Sequence, residues 1–154
     1  MYSKQETSKQ KEAFWTAFGR YMKPVLSADG EEISWSNYKT GIKGISFKME
    51  ADTRWAIISI VLSSSDVLLR QSYYERFLRL KGVMYEQLGE DDWVWSPDIP
   101  DEYGKSVSMI GKELSGVNIL NNQDWPAIIS FLKPRIIALD GFWSVAKYGF
   151  EGLG

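Results

Sequence analysis

The chain has 154 residues, 44% hydrophobic and 25% charged, with a net charge of −2. This length and composition are typical of one globular domain and exclude a disordered or fibrous protein. There is no cysteine and no histidine, which excludes disulfide bonds, thiolate or histidine metal sites and every catalytic arrangement that needs either residue.

The first predicted element is a helix that ends at Pro24. Its apolar residues recur at positions that share one helical face: Phe14, Phe18, Tyr21 and Met22. After a turn at residues 27–30, two strands are predicted to form an antiparallel hairpin. Ile45, Phe47 and Met49 alternate with polar residues, and the stretch from Trp55 to Leu62 is apolar along nearly its whole length.

A long helix and a second hairpin are predicted next. Asp66 is a suitable N-cap, and Gly89 is a suitable end for the helix. The stretch Trp93 to Trp95 and residues 105–114 are predicted strands around a loop at 98–104. The two tryptophans should share one face of the strand, where they belong to the core or, if the face is open, form a stacking platform.

The last predicted element is a helical stripe of apolar residues from Ile129 to Phe150. Pro134 lies inside it, so we expect a kink there or two abutting helices. The element order is therefore α-ββ-α-ββ-α. We expect residues 1–154 to form a single α+β domain, with a four-stranded, mainly antiparallel sheet and the helices packed on one face.

Catalytic motifs are missing from the chain. No acidic residue has lysine two positions later, as metal-dependent nucleases of the restriction type require, and no phosphate-binding glycine loop is present. The Ser-x-x-Lys pattern is so weak that its matches are little above the number that chance produces. The cluster of residues 90–92 lacks the spaced oxygens of a calcium loop. We therefore expect no catalytic residue, no metal and no cofactor.

The location of the protein is predicted from what the chain lacks. The N-terminal residues contain no apolar run of signal-peptide length, and no apolar stretch is long enough to span a membrane. The absence of cysteine is compatible with a reducing compartment. We expect a cytoplasmic protein without a membrane partner.

Charge is distributed unevenly along the chain. Residues 39–81 contain eight bases and four acids, whereas residues 82–104 contain seven acids and no base. The basic part overlaps a stretch that also contains aromatic residues. The candidate ligand-binding residues are two aromatic residues for stacking and four cationic residues for phosphate contacts: Trp35, Tyr38, Lys39, Lys43, Lys48 and Arg54. A solvated surface of mixed charge is the alternative interpretation.

Several short motifs resemble one protein family. They are Phe14-Trp15, Tyr21-Met22, Trp35-x-Asn37-Tyr38-Lys39-Thr40-Gly41, Asp124-Trp125-Pro126, Lys133-Pro134-Arg135-Ile136-Ile137 and Phe142-Trp143. Nearly the whole chain resembles a bacterial domain-of-unknown-function family, whose members stand alone or form the C-terminal part of chains with a nuclease-like part. The resemblance implies an association with DNA processing or defence, and it assigns no functional residue.

Three functions remain open from the sequence. The leading hypothesis is a non-enzymatic interaction module whose ligand is nucleic acid or another protein. The second is a homo-oligomeric or partner-binding structural protein, because the aromatic residues and the long C-terminal stripe exceed what one sheet can cover. The third is an enzyme of unrecognised type, which would need carboxylates or lysines to converge in a pocket.

Overall fold

The computed structural model describes residues 3–153 and follows the predicted order of helices and strands. The regular elements are α1 (Lys4–Met22), β1 (Ile45–Ala51), β2 (Trp55–Leu62), α2 (Val67–Arg79), α3 (Lys81–Leu88), β3 (Val94–Pro100), β4 (Ser106–Ser115), α4 (Trp125–Ala146) and α5 (Tyr148–Glu151). A short 3₁₀ helix, Asn122–Asp124, precedes α4. Within residues 3–153, no helix is long and apolar enough to cross a membrane.

The four strands form one sheet in the order β1-β2-β4-β3. Every neighbouring pair is antiparallel, so the predicted hairpins and the α+β class are confirmed. Because side chains alternate along a strand, Phe47, Ile60 and Ile110 share one face of adjacent strands. The helices pack on this face, with α4 against β1 and β2 and α2 against β2 and β4.

The opposite side of the sheet is called the open face below. The register brings its residues together across the strands, and they include Lys48, Ile57, Val61, Val94 and Met109. Val94 is 66% exposed. The helix side, by contrast, encloses an aromatic core.

Trp143 lies at the centre of that aromatic core. Its ring centroid is 5.5 Å from Phe47, 6.0 Å from Phe77 and 5.1 Å from Phe150. All four side chains are at most 5% exposed. Most of the aromatic residues named in the sequence analysis therefore stabilise the fold by removing large apolar surfaces from water.

The predicted long helix after Asp66 is in fact two helices. Asp66 caps α2 by accepting hydrogen bonds from the Leu68 and Leu69 amides at 3.1 and 3.2 Å. The helix is interrupted at Leu80, where φ is −95° and ψ is 6°. A glycine follows at Gly82, and its low helix propensity favours a break here rather than continuous helix.

The second hairpin differs from the prediction in its turn. Strand β3 continues to Pro100, so the predicted loop at 98–104 is partly strand, and the register shifts between Ser96 and Ile99. An edge strand can accept prolines because one row of its backbone groups is unpaired. Trp93 precedes the strand and is 5% exposed, and Trp95 packs against the core, so neither forms a stacking platform.

The C-terminal helix α4 begins before the predicted apolar stripe and continues through Pro134 without dividing there. Division occurs instead at Lys147, before α5. Proline has no amide donor, so the carbonyl four residues earlier, that of Ser130, lacks its usual helical partner. The Arg135 side chain donates a 2.8 Å hydrogen bond to the neighbouring Phe131 carbonyl.

Candidate functional site

A cavity of about 710 Å³ lies where β1 begins and β2 ends, and we call it the lysine-serine cavity. Lys43 and Lys105 line it together with the serine run Ser63–Ser65. Leu69 contributes to its apolar wall. Glu151 is the one acidic residue among the lining side chains.

Hydrogen bonds to backbone carbonyl groups hold the two sides of this cavity together. The Ser63 amide donates to the Gly44 carbonyl at 3.0 Å, and Lys105 Nζ donates to the Ser63 carbonyl at 2.8 Å. Gly44 has a φ of +90°, and a Cβ atom there would lie 3.4 Å from Ser64 Cβ. Glycine therefore allows the turn before β1 to approach the end of β2 closely.

The two lysines of this cavity are free of carboxylate partners. Among residues 3–153, neither Lys43 nor Lys105 forms an ion pair within 4.0 Å. Ammonium groups and hydroxyl groups are both hydrogen-bond donors, and together they suit the oxygen atoms of a phosphate. The arrangement can therefore bind an anion.

A second cavity, of about 360 Å³, lies between α4 and the irregular segment of residues 23–44. We call it the Asp140 cavity. Asp140 is 6% exposed, and its two oxygens accept hydrogen bonds from the Ala28 amide at 2.7 Å and the Tyr38 hydroxyl at 2.6 Å. Asp29, Glu31 and Lys39 also line it, as does Lys147, which directly follows α4.

Tyr38 is held as a neutral donor in this cavity. Burial raises the pKa of its hydroxyl, and both the hydrogen bond to Asp140 and the nearby charge of Asp29 raise it further. A phenol with a raised pKa keeps its proton at neutral pH. The hydroxyl therefore donates to Asp140 and does not act as a base.

The family model described as Domain of unknown function (DUF4268) matches residues 10–147. The chain belongs to the DUF4268 family. No curated protein and no solved structure matches it. The DUF4268 match includes the segments that form both cavities, apart from Glu151.

Three of the predicted ligand-binding residues of the DUF4268 domain lie in or near the Asp140 cavity. Tyr38 and Lys39 line it, whereas Trp35 is 2% exposed and donates from Nε1 to the Val25 carbonyl at 2.9 Å. The Trp35 ring is thus part of the core and is not accessible for stacking. Burial of a ring that precedes a strand depends on what folds over it, which residue order alone does not show.

The other three predicted residues of the DUF4268 domain are spread over its surface. Lys43 lines the lysine-serine cavity, Lys48 lies on the open face, and Arg54 is exposed in the β1–β2 turn. Lys43 and Arg54 are at opposite ends of β1, which has seven residues and is therefore roughly 23 Å long. The six candidates do not form one site.

Lys105, Lys147 and Asp140 were not among the site residues predicted from the sequence. Lys105 and Lys147 come from the second hairpin and the C-terminus, so their proximity to the basic segment depends on the folded chain. A signal for Asp140 was present, because it is the single acidic residue in the apolar helix α4. A charged group on a buried helix face needs partners, which makes it a candidate site residue.

The acidic cluster at residues 90–92 stabilises the DUF4268 domain. Glu90 accepts bonds from Arg135 Nη2 at 2.8 Å and Trp93 Nε1 at 2.6 Å, and Lys112 lies 3.2 Å away. Within residues 3–153, no group of three or more acidic side chains could hold a metal ion. Glu90 instead connects the turn before β3 to α4 and β4.

Proposed function

We propose that this DUF4268 domain is a non-enzymatic interaction module that binds the phosphate groups of a nucleic acid at the lysine-serine cavity. One observation carries the proposal: Lys43 and Lys105, which are far apart in the chain, line one cavity and have no carboxylate partner among residues 3–153. Two cations without carboxylate partners, beside three hydroxyl groups, attract a polyanion locally, although the net charge of the chain is −2.

The chemistry of the cavity favours contacts to the nucleic-acid backbone. Tyr73 lines it but is 2% exposed, so its ring is not available for stacking on a base. Contacts to phosphate fix the position of a nucleic acid but carry no direct information about its sequence. We therefore expect weak dependence on base sequence and strong dependence on salt.

The resemblance to a family that includes nuclease-associated members makes nucleic acid the first polyanion to test. We further propose that the protein is bacterial and cytoplasmic, as the resemblance and the lack of cysteine favour. Cell fractionation with an antibody would check the location, and recovery outside the cytoplasm would contradict it.

Fluorescence anisotropy with labelled single- and double-stranded DNA and RNA tests the proposal. Wild-type protein should bind at low salt, and affinity should fall as salt rises because phosphate contacts release counterions. In a Lys43→Ala/Lys105→Ala variant, the slope of log K against log salt for duplex DNA should become less negative by about 1.8, the value for two phosphate contacts.

The matched control is Lys48→Ala/Arg54→Ala, which removes the same number of positive charges from two other predicted phosphate contacts, away from the cavity. This variant should retain the wild-type salt slope. Equal losses in both variants would show that binding depends on total charge and would overturn the assignment of the cavity. No binding of any probe at low salt would overturn the function itself.

A second copy of the domain is the next candidate partner, and the open face favours it. Ile57 and Val61 of the central strand β2 are apolar on this side, and Val94 is 66% exposed. A strand that is apolar on both sides is typical of a sheet covered on both faces. Lys48 and Glu50 lie on the same face, so in a twofold dimer Lys48 of each copy can pair with Glu50 of the other copy.

Sedimentation velocity at increasing protein concentration tests this second function. A dimer should form in the wild type and be lost in Val94→Asp, which places a charge in the apolar contact. A monomer at every concentration would exclude the homo-oligomeric form.

A further inference from the structure

The Asp140 carboxylate has an unusual environment for a buried charge. It accepts hydrogen bonds from two neutral donors, the Tyr38 hydroxyl and the Ala28 amide. Within residues 3–153 it has no cationic partner at 4.0 Å or less, although it is 6% exposed. Buried charges are normally paired, because removal of a charge from water is costly. A cation supplied by a ligand would offset this cost.

The walls of the cavity carry charges of both signs. Asp29 and Glu31 line the side formed by the irregular segment, and Lys39 and Lys147 line it as well. None of these four side chains is in an ion pair within 4.0 Å among the described residues. Charges of both signs that are not in ion pairs therefore line one cavity, as a ligand with a cationic and an anionic group requires.

The size and polarity of the cavity agree with a small ligand. Its volume of about 360 Å³ is near the lower limit for small-molecule sites. Polar groups of Asn37, Thr40 and Ser144 complete the lining, and the indole of Trp143 supplies an apolar part.

We propose that the Asp140 cavity binds a small zwitterion of the amino-acid type. The ammonium group of the ligand pairs with Asp140 and Asp29, and its carboxylate pairs with Lys39 and Lys147. This site is separate from the lysine-serine cavity, so the proposal does not depend on nucleic-acid binding.

Calorimetry and ligand-detected NMR with the full chain test the proposal. The probes are the 20 common L-amino acids, each compared with the amine that lacks the carboxylate and the hydroxy acid that lacks the ammonium group. At least one amino acid should bind, and loss of either charged group should weaken binding about tenfold or more, as expected for hydrogen bonds between charged groups. Failure of every amino acid to bind would overturn the proposal.

Substitutions separate the roles of the two charges. Asp140→Asn keeps the shape of the side chain, so it should abolish binding of the amino acid and of the amine. Lys39→Ala/Lys147→Ala should weaken binding of the amino acid about tenfold and leave binding of the amine unchanged. If Asp140→Asn does not fold, as judged by circular dichroism, Asp29→Asn serves in its place.

The matched control for the lysine pair is Lys43→Ala/Lys105→Ala, in the other cavity. It should leave amino-acid binding unchanged while it weakens nucleic-acid binding. Amino-acid affinity that is unchanged in the Asp140 or Asp29 variant and in Lys39→Ala/Lys147→Ala would show that the ligand binds elsewhere, which overturns the assigned site.

Discussion

The Tyr38 hydroxyl donates a 2.6 Å hydrogen bond to Asp140 Oδ1, and this bond joins residues 102 positions apart. The second oxygen of Asp140 accepts from the Ala28 amide, and Trp143 Nε1 donates to the Thr40 carbonyl at 2.8 Å. These three bonds connect α4 to residues 28–40, which contain no helix or strand. An irregular segment depends on such side-chain bonds, because it has no backbone ladder of its own.

Tyr38→Phe should lower the free energy of unfolding by about 1–2 kcal/mol, because a buried carboxylate oxygen loses its donor. Urea denaturation followed by tryptophan fluorescence would measure the change. Tyr148→Phe is the matched control, since Tyr148 is 65% exposed and its ring, which Lys147 contacts, is retained. Equal effects of the two substitutions would contradict a specific role for the Tyr38 hydroxyl.

Glu90 should make stability depend on pH. Partial burial by itself would raise its pKa, but hydrogen bonds from Arg135, Trp93 and Lys112 outweigh burial and lower the pKa below the ordinary value of 4.5. A carboxyl with a lowered pKa in the folded state stabilises the protein above its unfolded pKa, and this contribution is lost as pH falls through the folded pKa.

The stability difference between wild type and Glu90→Gln should therefore be largest near neutral pH and shrink as pH falls below about 4.5. Urea midpoints between neutral and acidic pH would measure it. Arg135→Met should reduce the pH dependence in the same direction, because it removes donors to Glu90. Wild-type and Glu90→Gln curves that stay parallel would contradict the prediction.

Two glycine substitutions should change stability in opposite directions. Gly89→Ala should cost about 1 kcal/mol, because Gly89 ends α3 with a φ of +70°, where a Cβ atom is strained although no neighbouring atom is close. Gly19→Ala is the control inside α1, where the added Cβ atom would also meet no atom within 4 Å. It should stabilise by about 0.5–1 kcal/mol. Thermal denaturation measures both, and destabilisation by both would contradict the reasoning.

The residues after the family match should be part of the fold. Phe150 is fully buried, and its ring centroid is 4.6 Å from Phe77. Phe150→Ala should therefore lower the free energy of unfolding by about 3–5 kcal/mol. Tyr148→Ala, at an exposed position of the same short helix, should change it by less than about 0.5 kcal/mol. Similar small effects of both would place α5 outside the cooperative fold.

Local signals in the sequence were sufficient to predict most of the regular elements. The spacing of Phe14, Phe18 and Met22 marked one buried helix face, and Asp66 and Gly89 marked the start and end of the helical stretch between the hairpins. These features act within a few residues, so their physical effect can be read from residue order. The interruption at Leu80 was not predicted: Gly82 favours a break, but one glycine in a helical pattern does not decide it, because the break also depends on how the two halves of the helix pack.

The candidate site was predicted only in part for the same reason. Lys43 was identified from its neighbours in the chain, but its position in one cavity with Lys105 required the sheet register that places the end of β2 beside the start of β4. The accessibility of Trp35 also depended on the segment that covers it. By itself the sequence determined the elements, their order and the chemistries that are absent, since these follow from composition and short-range pattern. Only the tertiary structure decided which charges share a cavity, because that depends on contacts between residues distant in the chain.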